Sequence, residues 1–231
     1  MSGTLLVFAK EPCPGAVKTR LSPPFSAEQA AAFYACLLAD ILETSAAAAE
    51  RLGLAPVLCV APAEACERLA AGLPRAYQVR AQHGPDLAAR MAHAFEEAAS
   101  LGAGPFLLRG SDSPLLDEAT LAAALAALAE GADLALSPDL DGGYNLVALR
   151  RPAPGLFSHA MSTATVLADT LANAARLGLR AALLEPGFDV DTAHDLAHLA
   201  RARREGRAGG CQRSLTFLDR EGLWGPFGAG S

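Results

Sequence analysis

The 231-residue sequence lacks the short motifs of several common enzyme classes. It has neither G-x-G-x-x-G nor G-x-x-x-x-G-K-[ST], so a standard Rossmann fingerprint and a Walker phosphate loop are both excluded. No G-x-S-x-G is present, which leaves a serine-hydrolase nucleophile without support. The histidines form no H-E-x-x-H set, so a zinc-protease centre is not expected either.

Cysteine and positive charge are also limited. The five cysteines are odd in number, widely scattered and form no C-x-x-C pair, so we predict neither a zinc knuckle nor a disulfide framework. Reduced thiols in a cytoplasmic protein are the expected state. A net charge of -6 and a pI near 5.4 argue against extended nucleic-acid binding, although local cations could still hold a small anion.

Long apolar runs are absent as well. No window approaches about 18 uninterrupted apolar residues, so no membrane span is predicted. The first residues have no basic region or cleavage site, so no signal peptide is expected. With 52% apolar residues, the length predicts one α/β domain with a full core rather than a disordered chain.

Short apolar strands alternate with helical segments along the chain. Strands are predicted at residues 4–7, 56–60, 77–81, 105–109, 133–137, 144–149 and 180–184. Helices are predicted at residues 26–49, 64–71, 87–100, 118–128 and 192–205, with another of about four turns capped by Ser162. This alternation predicts a three-layer αβα sandwich with a mostly parallel sheet, formed by residues 1–205. The tail 206–231 is expected to pack on that domain or to form a homodimer contact.

The most informative stretch is FAKEPCPGAVKTRL, residues 8–21, which follows the first predicted strand. It places Gly15, Lys18 and Arg20 in a proline-rich loop before the first long helix. Glycine allows close approach of a ligand to the backbone, and the two cations can neutralise a polyphosphate. A solvated surface loop would explain the same residues, so the loop alone leaves phosphate binding open.

Acidic residues follow two later strands. Asp112 lies in GSDSPLL, directly after the strand at 105–109, where it could bind Mg²⁺ or cap a turn. Asp189 and Asp191, in FDVDTAHDL, point to one face if the segment is extended. Two carboxylates on one face repel each other unless a cation is present, which favours a metal site, although Asp191 could also cap the following helix.

Two further candidates come from turns. Asp141 begins a DGG sequence typical of a hairpin turn, and it could bind an acceptor or act as a general base. Arg90 lies one turn into a helix behind Gly-Pro, where it could reach a phosphate or a base, or lie on the helix surface.

Taken in order, these motifs resemble a bacterial family of small GT-A-like transferases, the domain-of-unknown-function 2064 group. The segments are FAKEPCPGAVKTRL, GPDLAARM, GSDSPLL, SPDLDGGYNLVAL and FDVDTAHDL, and they extend to about residue 205. The resemblance implies a nucleotide-diphospho-sugar transferase fold that binds a nucleoside triphosphate or a nucleotide-sugar with a divalent metal. Many relatives carry tryptophan where this chain has Met161.

The resemblance also implies roles for individual residues. Lys18, Asp112 and Asp141 are the predicted catalytic residues, and Asp112, Asp189 and Asp191 the predicted ligands of Mg²⁺ or Mn²⁺. The predicted nucleotide-binding residues are Phe8, Ala9, Lys10, Gly15, Lys18, Thr19, Arg20, Arg90, Gly110 and Asp112.

The leading hypothesis is therefore a Mg²⁺-dependent transferase with a nucleotide-activated donor and a small-molecule acceptor. Glycosyl transfer is preferred because relatives are so described, and nucleotidyl transfer from a triphosphate is the alternative. A non-catalytic nucleotide-binding domain ranks lower because all three candidate metal carboxylates are present. A Rossmann oxidoreductase ranks last, since its glycine fingerprint is missing.

Overall fold

A seven-stranded sheet organises the computed structural model, which describes residues 3–74 and 76–225. Its strands are β1 (Gly3–Lys10), β2 (Leu54–Ala61), β3 (Gln78–Ala81), β4 (Phe106–Arg109), β5 (Leu134–Pro138), β6 (Tyr144–Leu149) and β7 (Ala181–Leu183). Their spatial order is β3-β2-β1-β4-β6-β5-β7. Only β6 runs against its neighbours, pairing antiparallel with β4 and β5, so the sheet is mostly parallel as predicted.

Helices cover both faces of this sheet. They are α1 (Ala27–Leu52), α2 (Cys66–Ala70), α3 (Leu87–Leu101), α4 (Glu118–Ala129), α5 (Val166–Arg176), α6 (Leu196–Arg204) and α7 (Gln212–Glu221). Successive strand residues face opposite sides: Leu5 and Val7 of β1 pack with α1, whereas Leu6 packs with α3. The predicted three-layer αβα sandwich is confirmed.

Helix α1 begins where the sequence predicts. The Ser26 hydroxyl accepts a hydrogen bond from the Gln29 amide, and the Gln29 side chain accepts one from the Ser26 amide, which forms a capping box. By length and composition α1 could also cross a membrane, and it is the one such helix among the described residues. However, 56% of its most apolar window is buried within the domain, as in the core helix of a globular protein.

The described part of the tail packs against α1 through α7. The buried carboxylate of Asp40, on α1, accepts hydrogen bonds from the amide and hydroxyl of Ser214, both at 2.8 Å. It also accepts one from the Arg213 amide at 3.1 Å, so Asp40 pairs with amide groups at the start of α7 that have no partner within the helix. Residues 226–231 of the predicted tail lie outside the described residues.

Two sequence predictions need correction. β1 does not end at residue 7 but continues to Lys10, because β2 pairs with it as far as Ala61. Phe8, Ala9 and Lys10 therefore belong to a strand rather than to the loop. Ser162 does not cap a helix: it has a φ of 62°, and α5 begins only at Val166.

Candidate functional site

A pocket of about 880 Å³ lies at the carboxyl ends of β1 and β4, beside the β5–β6 hairpin. Ligands of open α/β sheets bind at this edge because loops from several strands converge there. Twelve predicted site residues line it: Phe8, Ala9, Lys10, Lys18, Thr19, Arg20, Arg90, Gly110, Asp112, Asp141, Asp189 and Asp191. Gly15 does not; it lies in an exposed turn with a φ of 75°, and a Cβ at this position would have no neighbour within 4 Å.

Lys18 forms the electrostatic centre of the pocket. Its ammonium contacts the Asp112 carboxylate and, at 2.9 Å, Oδ1 of Asp191, while only 3% of its side chain is exposed. Burial alone would lower the pKa of Lys18, but the two carboxylates outweigh it and raise that pKa. Arg20 contacts the second oxygen of Asp191. Lys18 is thus a permanently charged group held between two acids from distant parts of the chain.

The segment carrying Asp189 and Asp191 is fixed by main-chain contacts. Val190 points into the core, so the residues on either side both face the pocket. The Val190 amide donates to the Asp112 carbonyl at 2.9 Å, and the Asp189 amide donates to Oδ1 of Asp139 at 3.2 Å. These contacts bring the acids of three different loops to one edge of the sheet.

Asp189 has the most perturbed carboxyl of this group. Burial, and then the nearby Asp112 charge, raise the pKa of Asp189 to about 7, although a hydrogen bond from Ser113 opposes the shift. By contrast, Lys18 and Arg20 outweigh the burial of Asp191 and lower its pKa. No group of three or more His, Cys, Asp or Glu side chains within residues 3–74 and 76–225 is arranged to hold a metal. Any bound cation would need oxygens from a substrate or water as well.

The loop that carries Asp112 is held by a buried arginine. Arg109, at 1% exposure, donates to the carbonyls of Ser113 at 2.6 Å and Leu116 at 3.0 Å. Burial lowers the pKa of Arg109 to about 10, which leaves it charged at neutral pH. Tyr34 supports the other end of the loop, since its hydroxyl lies 2.6 Å from Ser111 Oγ and accepts from the Lys10 amide at 3.0 Å.

The DGG sequence forms the predicted hairpin turn between β5 and β6. The Asp139 amide donates to the Gly143 carbonyl at 3.0 Å, and Asp141 lies exposed at the rim of the pocket. Gly142 has a φ of 86°, and a Cβ there would collide with the Ala164 carbonyl. This close approach places the 161–164 loop, including Met161, against the turn and along the pocket wall.

Three residues that line the pocket were not predicted as site residues from the sequence. The Gln82 amide nitrogen donates to the carbonyls of Ala9 and Cys59, at the ends of β1 and β2. Asp139 accepts from the Asp189 amide, and burial raises its pKa. Asn145 is buried, and its Oδ1 has no hydrogen-bond partner among the described residues. Their roles depend on strands that are not neighbours in sequence, although a polar residue in an apolar strand is a usable warning for Asn145.

Comparison with known proteins finds a bacterial family and relatives that are described as transferases. The sequence model of a family described as uncharacterised proteins conserved in bacteria (DUF2064) matches residues 44–163. The structure of a protein provisionally described as a nucleotide-diphospho-sugar transferase, from Desulfovibrio desulfuricans G20, has 31% identity and a TM-score of 0.81. That match covers 95% of this chain and 98% of the other.

Two further matches, one in sequence and one in fold, are named as nucleotidyltransferases. Phosphoenolpyruvate guanylyltransferase from Chloroflexus aggregans (strain MD-66 / DSM 9485) is 35% identical over 123 residues. That match spans 52% of this chain and 59% of the relative, which is less than two thirds of its length. A cytidylyltransferase from Leptospira borgpetersenii serovar Hardjo-bovis (strain JB197) has a TM-score of 0.55 at 11% identity, covering 96% of this chain and 95% of the other. At that identity the likeness concerns the fold alone.

Proposed function

The chain belongs to the bacterial DUF2064 family and has its relatives' transferase fold, and on this premise we propose that it transfers a nucleotidyl group from a nucleoside triphosphate. The predicted family, fold and transferase class are confirmed by the comparisons. The observation that carries the finer proposal is Lys18, a buried ammonium held against Asp112 where β1 and β4 end.

The distribution of cations favours a triphosphate. Lys10, Lys18 and Arg20 line one wall of the pocket, at the end of β1 and in the segment that follows. A triphosphate carries more negative charge than the diphosphate of a nucleotide-sugar, and it can use all three cations once a divalent cation takes over the carboxylates that now pair with Lys18 and Arg20. The Chloroflexus relative, which is named a guanylyltransferase, supports the same reaction class.

Glycosyl transfer from a nucleotide-diphospho-sugar is the second candidate, and it was the preferred one from sequence. It is supported by the description of the Desulfovibrio protein, whose match covers almost the whole of both chains. The two reactions differ in the atom attacked: the α-phosphorus in nucleotidyl transfer and the anomeric carbon in glycosyl transfer. The products therefore separate them, because nucleotidyl transfer releases pyrophosphate and glycosyl transfer releases a nucleoside diphosphate.

A divalent cation fits the carboxylates of Asp112 and Asp189. Mg²⁺ binds hard oxygen ligands and takes one or two carboxylates together with substrate oxygens and water. The raised pKa of Asp189 reflects burial and the Asp112 charge, and a nearby cation would offset both by stabilising the charged carboxylate. Asp191, the third metal ligand predicted from sequence, stays a prediction: it contacts Lys18, as Asp112 does, and it also contacts Arg20. When bound, Mg²⁺ or Mn²⁺ would supply charge neutralisation at the phosphates.

In this proposal the protein acts mainly by positioning and by electrostatics. An acceptor oxygen attacks the α-phosphorus, the bond to the bridging oxygen breaks, and pyrophosphate leaves. Lys18 and Arg20 stabilise the negative charge that develops on the departing pyrophosphate. Asp141, at the acceptor side of the pocket, takes the proton where the acceptor is a hydroxyl group.

The first test is a thermal-shift panel of nucleoside triphosphates and nucleotide-sugars, with and without Mg²⁺. We expect a triphosphate to raise the melting temperature with Mg²⁺, and Asp112→Asn to remove the Mg²⁺-dependent part of that rise. The matched control is Glu96→Gln, which removes an exposed carboxylate of α3 outside the pocket. If only nucleotide-sugars stabilise the protein, glycosyl transfer replaces this proposal; if no nucleotide does, both fail.

A further inference from the structure

The side-chain amide of Gln82 is fixed in one orientation at the wall of the pocket. Its Nε2 donates to the Cys59 carbonyl at 2.8 Å and to the Ala9 carbonyl at 3.1 Å. Both amide hydrogens are therefore used, and the two carbonyl acceptors exclude the flipped amide. Oε1 has no hydrogen-bond partner within residues 3–74 and 76–225. Gln82 thus offers a ligand a single, pre-oriented acceptor.

Arg90 offers donors in the same pocket. Its Nε donates to the Gly84 carbonyl at 3.1 Å, and no contact of the described chain engages the terminal nitrogens of its guanidinium. Gly84 makes this arrangement possible: it has a φ of 138°, and a Cβ there would lie 2.9 Å from backbone atoms of Ala89 and Arg90. The guanidinium fork is therefore anchored at one nitrogen and free at the other two.

Apolar side chains accompany these two polar groups. Leu87 and Met91 lie on the same face of α3 as Arg90 and line the pocket with Phe8. Leu87 is 39% exposed, which is high for a large apolar residue. Apolar walls with a few fixed hydrogen-bonding groups are typical of sites that bind small molecules and cofactors.

We propose that Gln82 and Arg90 read the base of the nucleotide and select guanine. Guanine has donors at N1 and N2 for the Gln82 acceptor, and acceptors at O6 and N7 for the two free nitrogens of Arg90. This inference rests on the proposed nucleotide site and adds its base specificity.

Adenine fits the same groups less well. A glutamine reads adenine through both its amide nitrogen and its oxygen, and the amide nitrogen of Gln82 is already committed to main-chain carbonyls. Adenine also presents no pair of acceptors equivalent to O6 and N7 for the arginine fork. Uracil and cytosine lack N7, so they too can engage only part of the Arg90 fork.

The test measures dissociation constants of GTP, ATP, CTP and UTP for the wild-type protein with Mg²⁺, by calorimetry. We expect GTP to bind at least about 10-fold more tightly than the other three, which is the low end for one good bidentate base contact. 7-Deaza-GTP, which lacks N7, should lose about that factor without any change to the protein. Equal affinities, or preference for another base, would overturn base reading but leave the nucleotidyltransferase proposal standing; no binding by any of them would overturn both.

Variants separate base reading from a general structural role. Gln82→Met and Arg90→Met should each lower the ratio of the ATP to the GTP dissociation constant about 10-fold, or to about 1 if the wild-type preference is no larger than that. Arg201→Met is the matched control, because Arg201 is an exposed arginine of α6 that does not line the pocket, and it should preserve the ratio. Equal weakening of all four nucleotides by both pocket variants would overturn the inference.

Discussion

Replacing Lys18 by methionine should strengthen the binding of a divalent cation alone and weaken the binding of a nucleotide. The Lys18 ammonium is almost fully buried and contacts Asp112, one of the two proposed metal ligands. A cation that approaches these carboxylates must therefore displace the ammonium or remain close to it. Methionine keeps an unbranched side chain of similar length and removes only the charge.

The size of the effect follows from Coulomb's law. At about 6 Å a doubly charged cation and an ammonium repel by about 5 kcal/mol for an effective dielectric constant of about 20, and by about half that if water doubles it. The lower value corresponds to about 100-fold in affinity. Movement of Lys18 towards Asp191 or solvent would relieve part of the repulsion, so we expect an increase of about 10-fold to 100-fold.

Mn²⁺ binding without nucleotide, followed by electron paramagnetic resonance or calorimetry, measures this effect directly. The control is Lys10→Met, since Lys10 lines the same pocket but makes no ion pair among the described residues. Its Mn²⁺ affinity should change by less than about 3-fold. Equal or weaker Mn²⁺ binding by Lys18→Met would refute the argument that the ammonium competes with the metal.

Two other predictions concern stability. The pKa of Asp189 is about 7 in the folded protein, which is above its unfolded value. The protonated carboxyl therefore contributes to the free energy of unfolding fully below about pH 4, and this contribution is lost as the pH rises towards 7. Asp189→Asn should therefore be more stable than wild type at pH 8, by at most about 4 kcal/mol, and gain nothing near pH 4. Asp191 has a lowered pKa, so Asp191→Asn should instead lose stability at pH 8. A pH-independent effect of Asp189→Asn in urea unfolding would contradict this reasoning. Asp40→Ala should cost about 3 kcal/mol in the same assay because it leaves buried donors of α7 unpaired, whereas Glu43→Ala, which loses one exposed ion pair, should cost less than about 1 kcal/mol. A cost for Asp40→Ala as small as that for Glu43→Ala would mean that the buried contact does not hold α7.

Local patterns in the sequence predict most of the secondary structure. Alternating apolar runs predict every strand, and Ser26 with Gln29 specifies the start of α1. The end of β1 was missed because Lys10 is held in the strand by pairing with Ala61, a residue 51 positions away. Ser162 looked like a helix cap, but it lies in a loop that approaches Gly142 of the hairpin turn at Ala164, a contact that no local pattern contains.

In the candidate site, too, some features follow from local sequence and others from contacts between distant residues. The strand-end rule brings Lys18, Asp112 and Asp189 to one pocket, because a parallel sheet gathers the loops that follow its strands. Which side chains contact one another within the pocket depends on the tertiary structure and cannot be predicted from local sequence. The sequence suggested that Lys18 would meet phosphates, whereas its contacts are with two carboxylates from distant loops. Gln82 was missed because its fixed orientation depends on carbonyls of two other strands.

The charges that line the pocket indicate why the Lys18→Met variant should be titrated with the divalent cation and with the nucleotide, separately and together. Five carboxylates face four cations: Asp112, Asp139, Asp141, Asp189 and Asp191 against Lys10, Lys18, Arg20 and Arg90. Lys18 and Arg20 are already paired with acids, so a polyphosphate can recruit them only by leaving Asp112 and Asp191 without a cation. A divalent cation arriving with the nucleotide restores that balance, and a metal alone or a nucleotide alone does not. Metal and nucleotide should therefore promote each other's binding in the wild type. Lys18→Met should lose this coupling, because it lacks the ammonium that leaves Asp112 to the metal and pairs with the polyphosphate.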